Sequence, residues 1–324
     1  MRLKHIILKT YIDEYLSSLT NINREDNFIM TNKYKLLVIL PIFSIALASC
    51  SSSEEKVTQD VAISEPTPSM EVVEKNDHLH PRGDGTVPTA QGVSIELNST
   101  TYKVGKNTIS FVINRVGEPV ASYVINHEKP LHFIVVDKKL GTFQHLHPVM
   151  GENFTWSLPI EFSNSGEYRV YADFTLEEGG NEIKYLLGSD IVVNGNNPIE
   201  FILPEPNDVF VVDGINVSVT GSVSATDHTM LMFTVKDKDG NLATFDPYLG
   251  STGHLIAVRE GDLAMAHMHN SDHNDGTHSA STSSMPGMLH FDAEFPSGAG
   301  KYRLFLEFMV DGELKLATFT TNVL

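Results

Sequence analysis

Six histidines fall into two sets with the same spacing. His132, His145 and His147 form one His-x12-His-x-His series, and His254, His267 and His269 form the other. Neutral imidazole nitrogens are borderline ligands that suit Zn2+ and Cu2+. The second set adds sulfur. Met265 alternates with His267 and His269, and the following stretch carries His273, His278, Met285, Met288 and His290. Thioether beside imidazole favours copper, because soft Met suits Cu+ and imidazole suits Cu2+. A short His-rich tract is itself a compositional metal signal. The expected ligands are therefore His132, His145, His147, His254, His267, His269, Met265, His273, His278 and His290. The expected ion is copper, as Cu+ or Cu2+, with zinc as the alternative.

Strands must position these rings. Residues two apart on a β-strand share a face, so His145 and His147 point the same way, as do His267 and His269. His132 lies on a preceding strand, Leu131–Val136, and the short loop Asp137–Gly141 lets it pair with 142–147 as a hairpin. With the right register three imidazoles converge. A shift of one residue would put His132 on the opposite face. A second reading stands beside this one: paired histidines also hydrogen-bond within polar strand ends, and Met265 aligns with Phe143, a core-filling position.

The equal spacing belongs to a longer repeat. An offset of 122 residues carries Gly92 onto Gly214, Phe111 onto Phe233, His132 onto His254 and His147 onto His269 without a gap. The register then breaks by 12 residues and resumes with Gly166–Phe174 on Gly300–Phe308. Short β-branched and aromatic runs are punctuated by Gly, Asn, Asp and Pro, with no sustained helical stripe. The fold class expected is all-β, with two tandem immunoglobulin-like β-sandwich domains over 89–197 and 198–324. The second carries a His/Met-rich insertion at 270–290, and Asn194–Pro206 is the junction. Tyr168 and Tyr302, with Arg169 and Arg303, sit where such sandwiches use a structural tyrosine corner.

The N-terminal part reads differently. Lys33 and Lys35 precede an apolar run from Leu36 to Ala48, too short for a comfortable membrane span and interrupted by Pro41. It ends at Cys50, the chain's single cysteine. Residues 30–49 are expected to be a signal peptide, and 1–29, with their acidic residues, an extension ahead of the true start at Met30. Residues 50–88, rich in Ser, Glu, Thr and Pro, read as a flexible tether. The formal net charge is −18. That excludes nucleic acid as a partner, since no Lys/Arg cluster is present to meet phosphates, and it favours accumulation of cations.

Two resemblances extend this reading. Leu47-Ala48-Ser49-Cys50 resembles the lipobox of bacterial lipoproteins. That implies cleavage before Cys50, lipid attachment to its thiol, and a cell-envelope location. With Ser51 rather than Asp next, it implies the outer membrane where the organism has one. His127–Val136, Phe143–Pro148 and Gly166–Phe174 resemble the YtkA-like and CopC-like secreted modules associated with copper or heavy-metal handling. This implies a non-enzymatic envelope module. Expected partners are the membrane, through the anchor, and metal-efflux or other envelope proteins. The alternative is a structural or protein-interaction module that binds no metal. An enzyme is the weakest expectation: a three-His zinc site could hydrolyse a substrate, but no general base is identifiable.

Overall fold

The computed structural model describes residues 81–221, 223–226, 229–270, 285–293, 295 and 298–324. The expected extension, signal peptide, lipid-attachment residue Cys50 and most of the tether lie outside them. Among the described residues the regular structure is β-strand, with one short 3-10 turn at Glu152–Phe154. The first repeat forms β1 (Thr89–Ala90), β2 (Val93–Leu97), β3 (Thr101–Lys103), β4 (Gly105–Arg115), β5 (Glu118–Pro119), β6 (Leu131–Asp137), β7 (Phe143–Leu146), β8 (Val149–Met150), β9 (Trp156–Phe162), β10 (Gly166–Glu178) and β11 (Asn181–Asn194). The second forms β12 (Val209–Val212), β13 (Ile215–Thr220), β14 (Thr229–Lys236), β15 (Gly253–Arg259), β16 (Met265–His269), β17 (Met288–Ala293), β18 (Gly300–Val310) and β19 (Glu313–Val323).

Each repeat is a two-sheet sandwich, as the repeat and its punctuation predict. The sheets run β1-β2-β4-β9-β8 and β3-β11-β10-β6-β7 in the first, and β12-β13-β14-β17 and β16-β15-β18-β19 in the second. Strand for strand, β1-β2-β4-β9 corresponds to β12-β13-β14-β17, and β7-β6-β10-β11 to β16-β15-β18-β19. The tyrosine corners form in both: Tyr168 donates to the Asn164 carbonyl and Tyr302 to that of Gly298, each at 2.8 Å.

One class of strand departs from the alternation of a half-exposed sheet. In β9 burial strictly alternates, with Trp156, Leu158, Ile160 and Phe162 inside. In β6 every position is buried, and in β15 all but Arg259. Their inward residues, such as Phe133, Val135, Leu255 and Ala257, fill the two sandwich cores. Their outward residues Ile134, Val136, Ile256 and Val258 join a third apolar layer between the repeats, with Tyr171, Leu263, Met265 and Phe305. Phe143 stacks on Phe305 at 4.5 Å, and the Tyr171 hydroxyl donates to the Leu263 carbonyl at 2.8 Å. Burying side chains of this size contributes about 1.5–3 kcal/mol each. The layer joins both sandwiches in one compact unit, Val72–Leu324.

The chain between β11 and β12 is packed rather than loose. Ile199 and Leu203 are buried. Phe201 lies so near Gly141 that a Cβ there would meet its ring carbon at 2.5 Å, so the glycine is needed for the approach. The end of the expected tether is likewise part of the fold. Arg82 and Gly85 donate backbone hydrogen bonds to Lys184 and Leu186 on β11, and Arg169 donates to the Gly85 and Thr86 carbonyls. Alternating unpaired backbone groups beside β11 explain the docking: this stretch satisfies them despite its polar composition.

Candidate metal centre

The two histidine sets lie on the outer faces of β6–β7 and β15–β16, at one end of the apolar layer. In the first hairpin Ile134 pairs with His145 and Phe133 with Leu146. His132, His145 and His147 therefore share the face of Ile134. The turn that sets this register is held by Asp137, whose carboxylate accepts the backbone N–H groups of Lys139 and Thr142. In the second hairpin His254 pairs with His269 and Ile256 with His267, which puts that set on the face of Ile256. The expected convergence is realised in both copies. The ligand nitrogens of each triad lie within 4.8 Å of one another, and each triad could hold a metal ion.

Hydrogen bonds to the far side of two rings in each triad fix which of their nitrogens faces the site. His132 donates from Nε2 to the Asn126 carbonyl at 3.1 Å, and His254 from Nε2 to the Tyr248 carbonyl at 3.2 Å. Their Nδ1 atoms are left facing inward. His145 donates from Nδ1 to Glu307 Oε2 at 2.7 Å, and His267 from Nδ1 to Asp173 Oδ2 at 2.6 Å. Their Nε2 atoms face inward. The carboxylates are exchanged: Glu307, on β18, serves the first triad, and Asp173, on β10, serves the second.

The inward nitrogens differ between copies. In the first, His132 Nδ1 lies 3.0 Å from His145 Nε2 and 3.3 Å from His147 Nε2. Two nitrogens about 2.0–2.1 Å from one tetrahedral ion are roughly 3.3–3.4 Å apart, so the 3.3 Å separation matches such an edge and the 3.0 Å one is somewhat shorter. In the second, His254 Nδ1, His267 Nε2 and His269 Nε2 are buried and have no hydrogen-bond partner among the described residues.

Burial keeps five of these rings neutral. It pushes His132 down to about 4, opposed by Asp173 and reinforced by His145. It pushes His147 down to about 3, reinforced by His145 and His132. His254, His267 and His269 are held well below the ordinary imidazole range, first by burial and then by neighbouring histidines. Neutral imidazole is the form that ligates. Burial also raises the Asp173 carboxyl.

Two of the other expected ligands, Met265 and His290, are not gathered in. Met265 shares the face of His267, but that face continues into the apolar layer, where its side chain is buried. His290 stands on β17, in the opposite sheet, at a position alternating with the core residues Leu289 and Phe291. Neither triad includes it. His273 and His278 lie outside the described residues. Sequence reasoning passed over Asp173 and Glu307. Their signal was an acidic residue at the same place in two aligned runs that are otherwise apolar, Val170–Phe174 and Leu304–Phe308. His127 is a further neighbour. It sits in a two-residue turn with φ of 48° at His127 and 64° at Glu128, and stacks on His269 at 3.6 Å. The second copy builds the same turn with Leu249 and Gly250.

Comparison with curated protein sequences finds no match. Among solved structures the chain is similar to a DUF4785 family protein of Legionella pneumophila, at 13% identity over 71% of this chain and 56% of that one, with a TM-score of 0.24. It is also similar to Salmonella alpha-2-macroglobulin reacted with methylamine, at 13% identity over 76% of this chain and 15% of that one, with a TM-score of 0.23. The chain thus spans little more than half the length of the first and a small part of the second. A family model described as a domain of unknown function matches twice, over residues 77–186 and 210–324, once on each sandwich. That description names neither copper nor any other ligand. The chain belongs to this family, DUF8832.

Proposed function

We propose that the protein binds transition metal at the cell envelope, copper before zinc, through one three-histidine site in each sandwich. The observation that carries this reading is the second triad. Three buried nitrogens converge within 4.8 Å with no hydrogen-bond partner among the described residues. Each unsatisfied buried polar atom costs about 1–3 kcal/mol. A coordinated ion offsets all three at once. The donor set is neutral nitrogen, which suits Cu and Zn, and affinity at a given site rises to Cu2+ before falling at Zn2+. Carboxylate-braced histidines are the usual outer shell of such ions. The reading is of binding rather than catalysis, and of a chain lipid-anchored at Cys50 that works beside metal-efflux or other envelope proteins.

Metal content of the purified full-length protein, followed by Cu+, Cu2+ and Zn2+ titration, tests it. The parent is expected to take two ions. The His132→Ala/His147→Ala and His254→Ala/His269→Ala variants are each expected to lose one. If parent and variants bind no better than an unrelated protein, the chain is an interaction module instead. The anchor has a separate test: Cys50→Ser should release the protein from membranes, and retention there would refute lipidation.

A further inference from the structure

Resting on that metal reading, we infer that the two triads are halves of one two-ion centre, and that neither sandwich completes its half alone. Rings of opposite triads lie as close as rings of the same triad. His132 and His145 are each 5.3 Å from His267, centroid to centroid, and His145 is 5.7 Å from His254. Within the triads the separations run from 4.5 Å, between His267 and His269, to 5.7 Å, between His254 and His267. No layer of side chains separates the sets; they meet ring to ring.

The outer shell is shared in the same way. Asp173 belongs to the first sandwich and orients His267 of the second, while Glu307 belongs to the second and orients His145 of the first. Asp173 and Glu307 occupy equivalent places in the repeat, as do His145 and His267, and Asn126 and Tyr248, whose carbonyls accept from His132 and His254. One contact is therefore made twice in opposite directions, the mark of an isologous pairing about a two-fold axis. Two neighbouring cations repel, and the exchanged carboxylates place one negative charge against each triad to offset that. The ligand expected is a pair of copper ions taken up into one space, not two independent ions.

Spin coupling in the full-length protein loaded with Cu2+ tests the pairing. At two bound equivalents the electron paramagnetic resonance signal should be broadened or reduced well below that of two isolated ions, because adjacent spins couple. Two bound equivalents with full, unperturbed intensity would overturn the pairing while leaving metal binding intact. No bound copper at all would remove both readings. The exchange has its own test. In a His147→Ala background, Asp173→Asn should weaken the remaining ion by about 10–100-fold. In a His269→Ala background, Glu307→Gln should do the same. Unchanged affinity in both would overturn the shared outer shell.

Discussion

The first triad is partly hydrogen-bonded within itself and the second is not. With His132 Nε2 and His145 Nδ1 already donating outward, the first triad keeps one internal hydrogen bond, from His147 Nε2 to His132 Nδ1 at 3.3 Å, while His145 Nε2 faces His132 Nδ1 lone pair to lone pair at 3.0 Å. His254, His267 and His269 hold the corresponding three nitrogens buried and unpartnered. The second triad also has a neighbour without a counterpart, since His127 stacks on His269 while the equivalent turn of the second sandwich carries Leu249. Duplicated strands thus kept the same ring placement while the free energy of the metal-free state diverged. The second half is the more strongly predisposed to a ligand. The first is relieved in part by its bond from His147 to His132.

Acid should have the largest effect, and on both triads. The five lowered rings are His132, His147, His254, His267 and His269. Unfolded, each takes up a proton near the ordinary imidazole value of about 6.5. Folded, His132 and His147 do so only at about 4 and about 3. The unfolded state therefore binds more protons through that window, and the metal-free protein loses stability as pH falls from about 6.5 toward the folded values. Unfolding of chelator-treated protein by urea at a series of pH values measures this. Stability that stays level from pH 7 to 4 would contradict it. Bound metal should shift the loss to lower pH.

Next in size is the layer both halves lean on. Phe305→Ala removes a buried ring that stacks on Phe143 across the layer. It should cost about 3–5 kcal/mol of unfolding free energy and weaken both ions together. If only one ion weakens, the two halves are mechanically independent. A smaller change separates the triads directly. His269→Phe removes an orphan nitrogen while keeping a ring to stack on His127, so the metal-free protein should gain stability, up to about 1–3 kcal/mol, and lose an ion. His145→Phe breaks the bond to Glu307 and leaves that buried carboxylate unpartnered, which should destabilise by a similar amount. Equal effects of the two substitutions in urea unfolding would erase the contrast drawn above.

The sequence made the triads legible because three local rules agreed. Period-two alternation put His145 beside His147, a short loop made a hairpin, and the gapless repeat required both copies to obey one register. It also made the sandwiches legible, through punctuation and the Gly-x-Tyr-Arg corners. Other features depend on how the sandwiches meet, which no local pattern encodes. Met265 was placed on the correct face, yet that face runs on into apolar contacts with the other sandwich. Asp173 and Glu307 lay in plain view at matching positions, but each finds its histidine across the interface. The full burial of Leu131–Asp137 was the available hint: a continuous apolar run is a strand covered on both sides, and something had to cover the outer one.

The exchanged carboxylates bear on how such a chain could arise. A single sandwich by itself would have a triad with no acid to hold its middle ring, and an acid with no ring to hold. Two separate copies meeting face to face would cure both defects, so a self-pairing ancestor needs no second gene. Joining the copies through residues 195–208 turns that encounter into an intramolecular one, at an effective concentration on the order of millimolar for a short connector. Once tied, the copies were free to differ, and one now carries His127 over its neighbour's ring where the other carries Leu249.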